Sequence, residues 1–477
     1  MTEATEIIGR EHEKEELDML LKSGKAEFIA IYGRRRVGKT YLVTEYLKDK
    51  MVFYASGLLG EKASAQKKAF RIAMDDYGYP TQADTWLDLF HDLQKMLTQK
   101  LKETDKQPCV VFLDEIPCMD TPKSDFLPAL DHFWNTWAVG QKQLKLIVCG
   151  SATSWIIKNL IDSHGGLHNR MTYEIHLHPF TLEETERFFR SRKFNWTRQV
   201  ILQAYMMVGG IPYYLGLFRP SESVAQTIDR IYFKPDSILC REYDRLMQSL
   251  FNSPEPYMEV MNVLSQNLQG MTRDEIMQKS RMSSGGRLSK ILTDLQNCDF
   301  IRFYNQRGNT IRTKAGFYAI TDLFTLFHHY FSRNLGKVDF FKTHLNNPTL
   351  NTWEGLAFEH VVMLHIPQIK QALGFVSIAV EFYAWRSKTT KPAVQIDLIL
   401  DRADRIVNVC EIKFARQQYL LSAEEYNKVQ ARIQNFLVET QIKSGVHLTF
   451  ITPNGVFPND YASEITSQVT LEGLFLK

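Results

Sequence analysis

Apolar and polar residues along this chain follow three rhythms in turn. Near the N-terminus, "AEFIAIY" is apolar almost without interruption, the pattern of a short strand buried on both faces. After a glycine-containing turn, "TYLVTEYL" sets Leu42, Val43, Tyr46 and Leu47 at helical spacing. "PCVVFLDEIP" brings a second strand, an apolar run from Cys109 to Leu113 that ends in two acids. "LKLIVCG" is a third, and "MTYEIHL" an alternating fourth. Strands ending in loops and followed by helices predict an α/β core. From "PFTLEETERFF" to about Leu250 the rhythm is helical, opened by a capping box of Thr181 and Glu184.

The rhythm then shortens. "PYMEVMNVLSQNL" predicts a helix, "TRDEIMQKS" opens another with a capping box of Thr272 and Glu275, and Leu288, Ile291, Leu292 and Leu295 mark a third. Two short alternating segments follow, "FIRFYNQ" and "GFYAI", around a basic stretch with Arg307, Arg312 and Lys314. Three helices and a two-stranded wing resemble a winged helix-turn-helix. That resemblance implies DNA contacts from Arg287, Lys290, Arg302 and Arg307; the same elements also serve as a protein-packing module.

The turn after the first strand carries the sharpest chemistry. "GRRRVGKT" is Gly33, Arg34, Arg35, Arg36, Val37, Gly38, Lys39 and Thr40, a match to G-x-x-x-x-G-K-[ST]. Glycines let backbone amides face a phosphate chain, and the helix N-terminus adds partial positive charge. Lys39 is expected on the β- and γ-phosphates of ATP, and the Thr40 hydroxyl on magnesium. The acids ending the second strand complete the set: Asp114 for magnesium, Glu115 to polarise the attacking water. Ser151, after the third strand, is either a γ-phosphate contact or a helix N-cap. Arg170, before the fourth, is either a finger on a nucleotide, its own or a neighbour's, or a surface residue.

"IIGREHEKEELDML", "FLDEIP" and "GGIPYYL" together resemble the prokaryotic, archaeal-type AAA+/STAND-like P-loop ATPases. The resemblance implies that Ile8, Gly9 and Arg10 line one side of the adenine and that Gly210 and Pro212 of the lid line the other. "GGIP" is also a plain helix stop.

In the last third, "WEGLAFEHVVMLHI" is an apolar helix with Glu354 and Glu359. "VQIDLILDRADRIVNVCEIKF" predicts a hairpin. Alternation puts Ile396, Leu398 and Leu400 on one face and Asp397 on the other; Val407, Val409, Glu411 and Lys413 share a face. The turn allows Asp397 to lie opposite Glu411, and a one-residue slip would undo this. Facing carboxylates destabilise a sheet unless a cation lies between them. The D-x13-E-x-K pattern resembles the PD-(D/E)XK nucleases, although Gln395-Ile396 stand where a proline usually precedes the aspartate. The resemblance implies Asp397, Glu411 and Glu359 (less so Glu354) as magnesium ligands and Lys413 as a catalytic lysine.

Composition adds limits. The 477 residues are 44% hydrophobic and 23% charged with net charge +3, so any nucleic-acid surface is a local patch. The six cysteines show no metal-ligand spacing and read as reduced thiols. No apolar run approaches a membrane span and no signal core is visible, so a cytoplasmic chain without membrane contact is expected. The expected architecture is an α/β P-loop ATPase core at 1–180, a helical lid at 181–250, a winged helix at 251–325 and a nuclease-like domain at 326–477 with a connecting helix at 326–350. The expected function is ATP hydrolysis with magnesium, acting on DNA by gating the nuclease-like domain, with a homo-oligomer allowed. The alternative is a regulatory switch whose last two domains bind partners without cleavage.

Overall fold

The structure is a computed structural model; it describes residues 7–104, 106–162, 170–267, 270–282, 285–304, 316–345, 347–387, 389–390 and 394–477. Arg307, Arg312 and Lys314 of the basic stretch lie outside these. The chain divides into two compact units, Met1–Pro179 with Gln248–Asn252, and Phe180–Met247 with Ser253–Lys477.

The first unit is built on five strands, β1 (Glu27–Tyr32), β2 (Met51–Ser56), β3 (Cys109–Asp114), β4 (Leu144–Gly150) and β5 (Tyr173–His176). All pair in parallel, in the order β2-β3-β4-β1-β5. β1, β3 and β4 are buried at every residue, as their unbroken apolar runs require of strands covered on both faces. Helices Trp86–Glu103 and Phe126–Thr136 cover one face, where Trp86 and Phe126 meet edge to face with ring centroids 4.9 Å apart. Each such fully buried aromatic contributes about 1.5–3 kcal/mol. β4 lies between the strand feeding the glycine loop and the strand ending in acid. The carboxyl ends of β1, β4 and β3 therefore stand side by side at the point where the connections reverse direction, the place where open α/β sheets bind ligands.

The second unit begins with helices, among them Leu182–Ser191 and Arg198–Val208. The Thr181–Glu184 capping box forms. His365 ties this region to the last third of the chain. Its Nδ1–H donates to the Val361 carbonyl at 2.7 Å, and its Nε2 accepts from the Leu182 amide at 3.1 Å. Helices Glu255–Ser265, Arg273–Lys279 and Gly285–Asn297 follow, with a small antiparallel sheet of β6 (Met271–Thr272), β7 (Ile301–Tyr304) and β8 (Phe317–Ile320) in the order β6-β8-β7. Residues 326–350 are not one connecting helix. The chain breaks into Leu323–Phe331, a 3-10 turn, Phe340–Thr343 and a new helix Pro348–Leu364, with Gly336 and Asp339 at positive φ between them. Proline at the first helical position starts that last helix.

A second sheet closes the chain: β9 (Val380–Arg386), β10 (Gln395–Arg402), β11 (Ile406–Ile412), β12 (Gly445–Ile451) and β13 (Ser467–Val469), in the order β13-β12-β11-β10-β9. β9, β10 and β11 are antiparallel neighbours. Helix Ala423–Thr440 carries the crossover to β12, which is parallel to β11. The strict alternation expected of β10 fails at one point. Ile396 pairs with Trp385 but Ile399 with Tyr383, so Asp397 and Leu398 together face one residue of β9. This bulge puts Ile396 and Ile399, rather than Ile396 and Leu398, in the same apolar core.

Candidate functional site

The glycine loop leaves β1 at Gly33, whose φ is 139° and where a Cβ would lie 2.3 Å from the Leu177 carbonyl oxygen. Gly38, at φ 96°, sits at the N-terminus of helix Lys39–Tyr46. Only glycine adopts these conformations cheaply. The Lys39 ammonium is buried and donates to the carbonyls of Gly33 (2.8 Å) and Arg34 (3.0 Å), arching back across its own loop. Thr40 Oγ1 donates to Asp114 Oδ2 at 2.7 Å. The motif hydroxyl and the strand-end carboxylate, 74 residues apart in sequence, thus converge as a pair of hard oxygen donors.

Glu115 follows at φ 46°, a strained setting for a non-glycine residue, with its amide on Asp114 Oδ1 at 2.9 Å. Its Oε2 accepts two bonds from Ser151, from the hydroxyl at 3.0 Å and from the amide at 3.1 Å. Ser151 can reach it because β4 lies beside β3. The cap of the following helix Thr153–Ile156 is Ala152, so Ser151 is not the N-cap; its side chain bonds the acid instead. Arg10, buried at 4% exposure, bridges two backbone oxygens: His178 O at 2.6 Å and Val37 O, inside the loop, at 3.0 Å. Its neighbour Gly9 is buried too, and both have positive φ. Arg34 and Val37 are buried, while Arg35 and Arg36 are half-buried. Arg170 is exposed before β5. Burial pushes the nearby Cys149 thiol well above its usual range, and the Cys118 thiol up to about 11, so neither is a nucleophile at neutral pH.

In the second unit, Pro212 opens the short helix Pro212–Leu215. Gly210 is fixed by the Phe180 backbone: Phe180 N–H donates to the Gly210 carbonyl at 2.7 Å. Arg287 and Lys290 are exposed, whereas Arg302 donates to the Met363 carbonyl at 3.1 Å.

A second constellation forms around β10 and β11. Leu398 pairs with Cys410, which leaves Asp397 and Glu411 next outward on the two strands. Gln395 Nε2 donates to Asp397 Oδ1 at 3.0 Å. Burial first, and the Glu411 charge second, raise the Asp397 carboxyl above its ordinary range. Glu359, from helix Pro348–Leu364, is pushed up to about 8 by burial and then by the charge of Asp397. Glu354 lies elsewhere, paired with Arg416 at 3.0 Å. Lys413 and Arg432 both reach Glu411 Oε1, each at 3.0 Å. Arg432 comes from helix Ala423–Thr440; no motif flagged it, and its only sequence signal is a cation on a helix that crosses between two strands. Glu359 and Asp397 line one small cavity, together with Tyr304, Phe317 and Ala319 of the three-stranded sheet.

Residues 7–218 match a family described as an ATPase domain predominantly from Archaea. This stretch is an archaeal-type ATPase domain. The chain is 24% identical over 358 residues to an uncharacterized protein of Methanocaldococcus jannaschii, covering 74% of this chain and 76% of that one. An uncharacterized ATP-binding protein of the same organism is 43% identical over 50 residues, which are 10% of this chain and 85% of that one. The Walker-type ATPase of Pyrococcus abyssi shares the fold, with a TM-score of 0.50 at 18% identity, over 67% of this chain and 95% of that one. The ATPase domain thus contains the glycine loop, Asp114, Glu115 and Ser151. No helix among the described residues is long and apolar enough to cross a membrane.

Proposed function

We propose that the chain hydrolyses ATP with magnesium and acts on DNA, its nucleotide state gating a phosphodiester-cleaving site in the C-terminal third. The observation that supports the ATPase assignment best is the Thr40–Asp114 bond at 2.7 Å beside the Ser151-held Glu115. Both oxygens are hard donors suited to magnesium, and the pair stands at the strand ends where the loop opens. Thr40 and Asp114 would hold magnesium, which would supply charge neutralisation at the phosphate oxygens. Lys39, its donors turned into the loop, takes the β- and γ-phosphates. Glu115 accepts a proton from the attacking water, with Ser151 fixing its carboxylate. Arg10 shapes the loop through Val37, and Gly9 beside it serves the adenine. Arg170, exposed before β5, would act as a finger on a nucleotide, its own or a second copy's.

Three features support the DNA reading. Among the described residues of 251–325, helices Glu255–Ser265, Arg273–Lys279 and Gly285–Asn297 and the sheet β6-β8-β7 support a winged-helix reading, with Arg287 and Lys290 exposed on the third helix. Glu359 and Asp397 line one cavity, and Glu411 lies beside Asp397 on the paired strand; burial first and the Asp397 charge second raise the Glu359 carboxyl, and a divalent cation held there would offset the mutual repulsion of the acids. Lys413 stands on Glu411, where an ammonium stabilises developing phosphate charge. A non-cleaving switch is favoured by a different fact: Tyr304, Phe317 and Ala319 line the same cavity as the carboxylates, so the small sheet lies over the site.

Nicking of supercoiled plasmid with magnesium or manganese, with and without ATP, tests the proposal. Nicking by the wild type that Asp397→Ala abolishes, with ATPase activity intact, is the expected result. A wild type that nicks no DNA under any nucleotide condition would leave the switch.

A further inference from the structure

Two chemically opposite cavities flank the end of β11, whose Ile412 lines the first and whose Glu411 lines the second. On one side are Asp397 and Glu359. On the other is a cavity of about 140 Å³, rimmed by Lys413, Lys428, Arg432, Tyr419 and Glu425 over an apolar floor. A water occupies about 30 Å³ of liquid, so a tetrahedral oxyanion fits there. We propose that this basic cavity is a phosphate subsite, holding a phosphate group of a nucleic-acid strand whose neighbouring phosphodiester lies at the carboxylates. The inference rests on the reading of Asp397, Glu411 and Glu359 as a cation site.

The charge arrangement carries the argument. Lys413 and Arg432 both bond the same oxygen of Glu411, so two cations share one acceptor atom. Lys428 and Arg432 are four residues apart on helix Ala423–Thr440, one turn on the same face. Like charges at this spacing repel on a helix, a cost that an anion between them reverses. Lys428 pairs outward with Glu424 at 2.6 Å. Glu425 is occupied within the rim, accepting from the Tyr419 hydroxyl. The rim therefore counts three cations against Glu411 and Glu425. A guanidinium with a lysine beside it matches the oxygens of a phosphate, which takes two parallel N–H bonds from arginine. A cation shared by Asp397 and Glu411 would draw Glu411 away from Arg432 and turn the guanidinium toward that phosphate.

The test uses the full-length chain in calcium and fluorescent single-stranded oligonucleotides carrying either a 5′-phosphate or a 5′-hydroxyl. Inorganic phosphate serves as competitor, and manganese binding is followed separately by calorimetry. Arg432→Ala should weaken oligonucleotide binding roughly tenfold, as loss of a charge-assisted bidentate contact does. Arg432→Lys should recover part of it, Lys428→Ala should lose severalfold, and manganese should bind Arg432→Ala as tightly as wild type or tighter. A loss confined to the 5′-phosphate strand would assign a terminal monoester, and an equal loss on both strands a backbone diester. Wild-type affinities for both strands in Arg432→Ala and Lys428→Ala would overturn the subsite. Failure of the wild type to bind manganese would overturn the cation reading beneath it, while the oligonucleotide affinities still decide the cavity.

Discussion

Removing the Ser151 hydroxyl is the sharpest perturbation of the ATPase centre that leaves its charges in place. Glu115 Oε2 takes two bonds from this one residue, the hydroxyl at 3.0 Å and the amide at 3.1 Å. Ser151→Ala deletes the first and keeps the second. A hydrogen bond to an ionised group contributes about 1.5–3 kcal/mol. Here it also restrains a residue whose backbone sits at φ 46°, a setting that costs about 1–3 kcal/mol unless its surroundings hold it. Loosening of the carboxylate should raise the barrier by about 1.4–2.7 kcal/mol, a fall in kcat of roughly 10- to 100-fold. ATP affinity should stay within about twofold, because the bonds of Lys39 to Gly33 and Arg34 are untouched. Phosphate release under steady state, with ATP binding by calorimetry, measures both. An unchanged kcat would refute the holding role, and a matching loss of ATP affinity would move Ser151 to ground-state binding.

Other outcomes follow from the same geometry. Gly33→Ala should lose ATP binding by at least about tenfold, since its Cβ would meet Leu177 O at 2.3 Å; a folded variant with normal affinity would discount the loop geometry. Arg170→Ala should lower turnover without weakening ATP binding, and wild-type specific activity should rise with protein concentration if the finger reaches a second copy; a turnover unchanged in the variant returns Arg170 to the surface. Burial lowers the His365 imidazole to about 4, below its unfolded value near 6.5, so the unfolded chain binds the extra proton between these values. Its contribution is complete above pH 6.5 and lost as pH falls toward 4, at about 1.4 kcal/mol per pH unit. His365→Asn should flatten the acid side of a urea-midpoint profile by one proton's worth. His328, His329 and His360, also lowered to about 4 by burial, keep the remaining slope. Profiles that stay parallel between pH 5 and 7 would show that His365 does not carry that proton.

The ATPase core was legible because its central strands are buried on both faces, and such strands read as unbroken apolar runs. β2, a half-buried strand at the sheet edge, carries no adjoining motif to single it out, although "MVFYA" is itself an apolar run. Ser151 was visible as a polar residue after a strand, but its partner was not, since contact with Glu115 depends on strand order. Near the C-terminus, the glutamates of one apolar helix could not be ranked from spacing alone. Packing sends Glu354 to Arg416 and leaves Glu359 in the cavity with Asp397. The bulge at Asp397 was hidden because Ile396, Leu398 and Leu400 keep a period of two along "QIDLIL", and only pairing with β9 reveals the extra residue. Arg432 was out of reach for a simpler reason: 21 residues and a helix separate it from Glu411.

The central claim is that Asp114 and Glu115, adjacent in sequence, divide metal binding and water activation between them. Single-turnover ATP hydrolysis and MgATP affinity, measured together on Glu115→Gln and Asp114→Asn, test it most directly. Glu115→Gln should bind MgATP as the wild type does and hydrolyse it at least about a hundredfold more slowly, because the Thr40–Asp114 pair survives. Asp114→Asn should lose the magnesium dependence of binding as well. Equal behaviour of the two variants in both assays, or wild-type turnover by Glu115→Gln, would contradict the account.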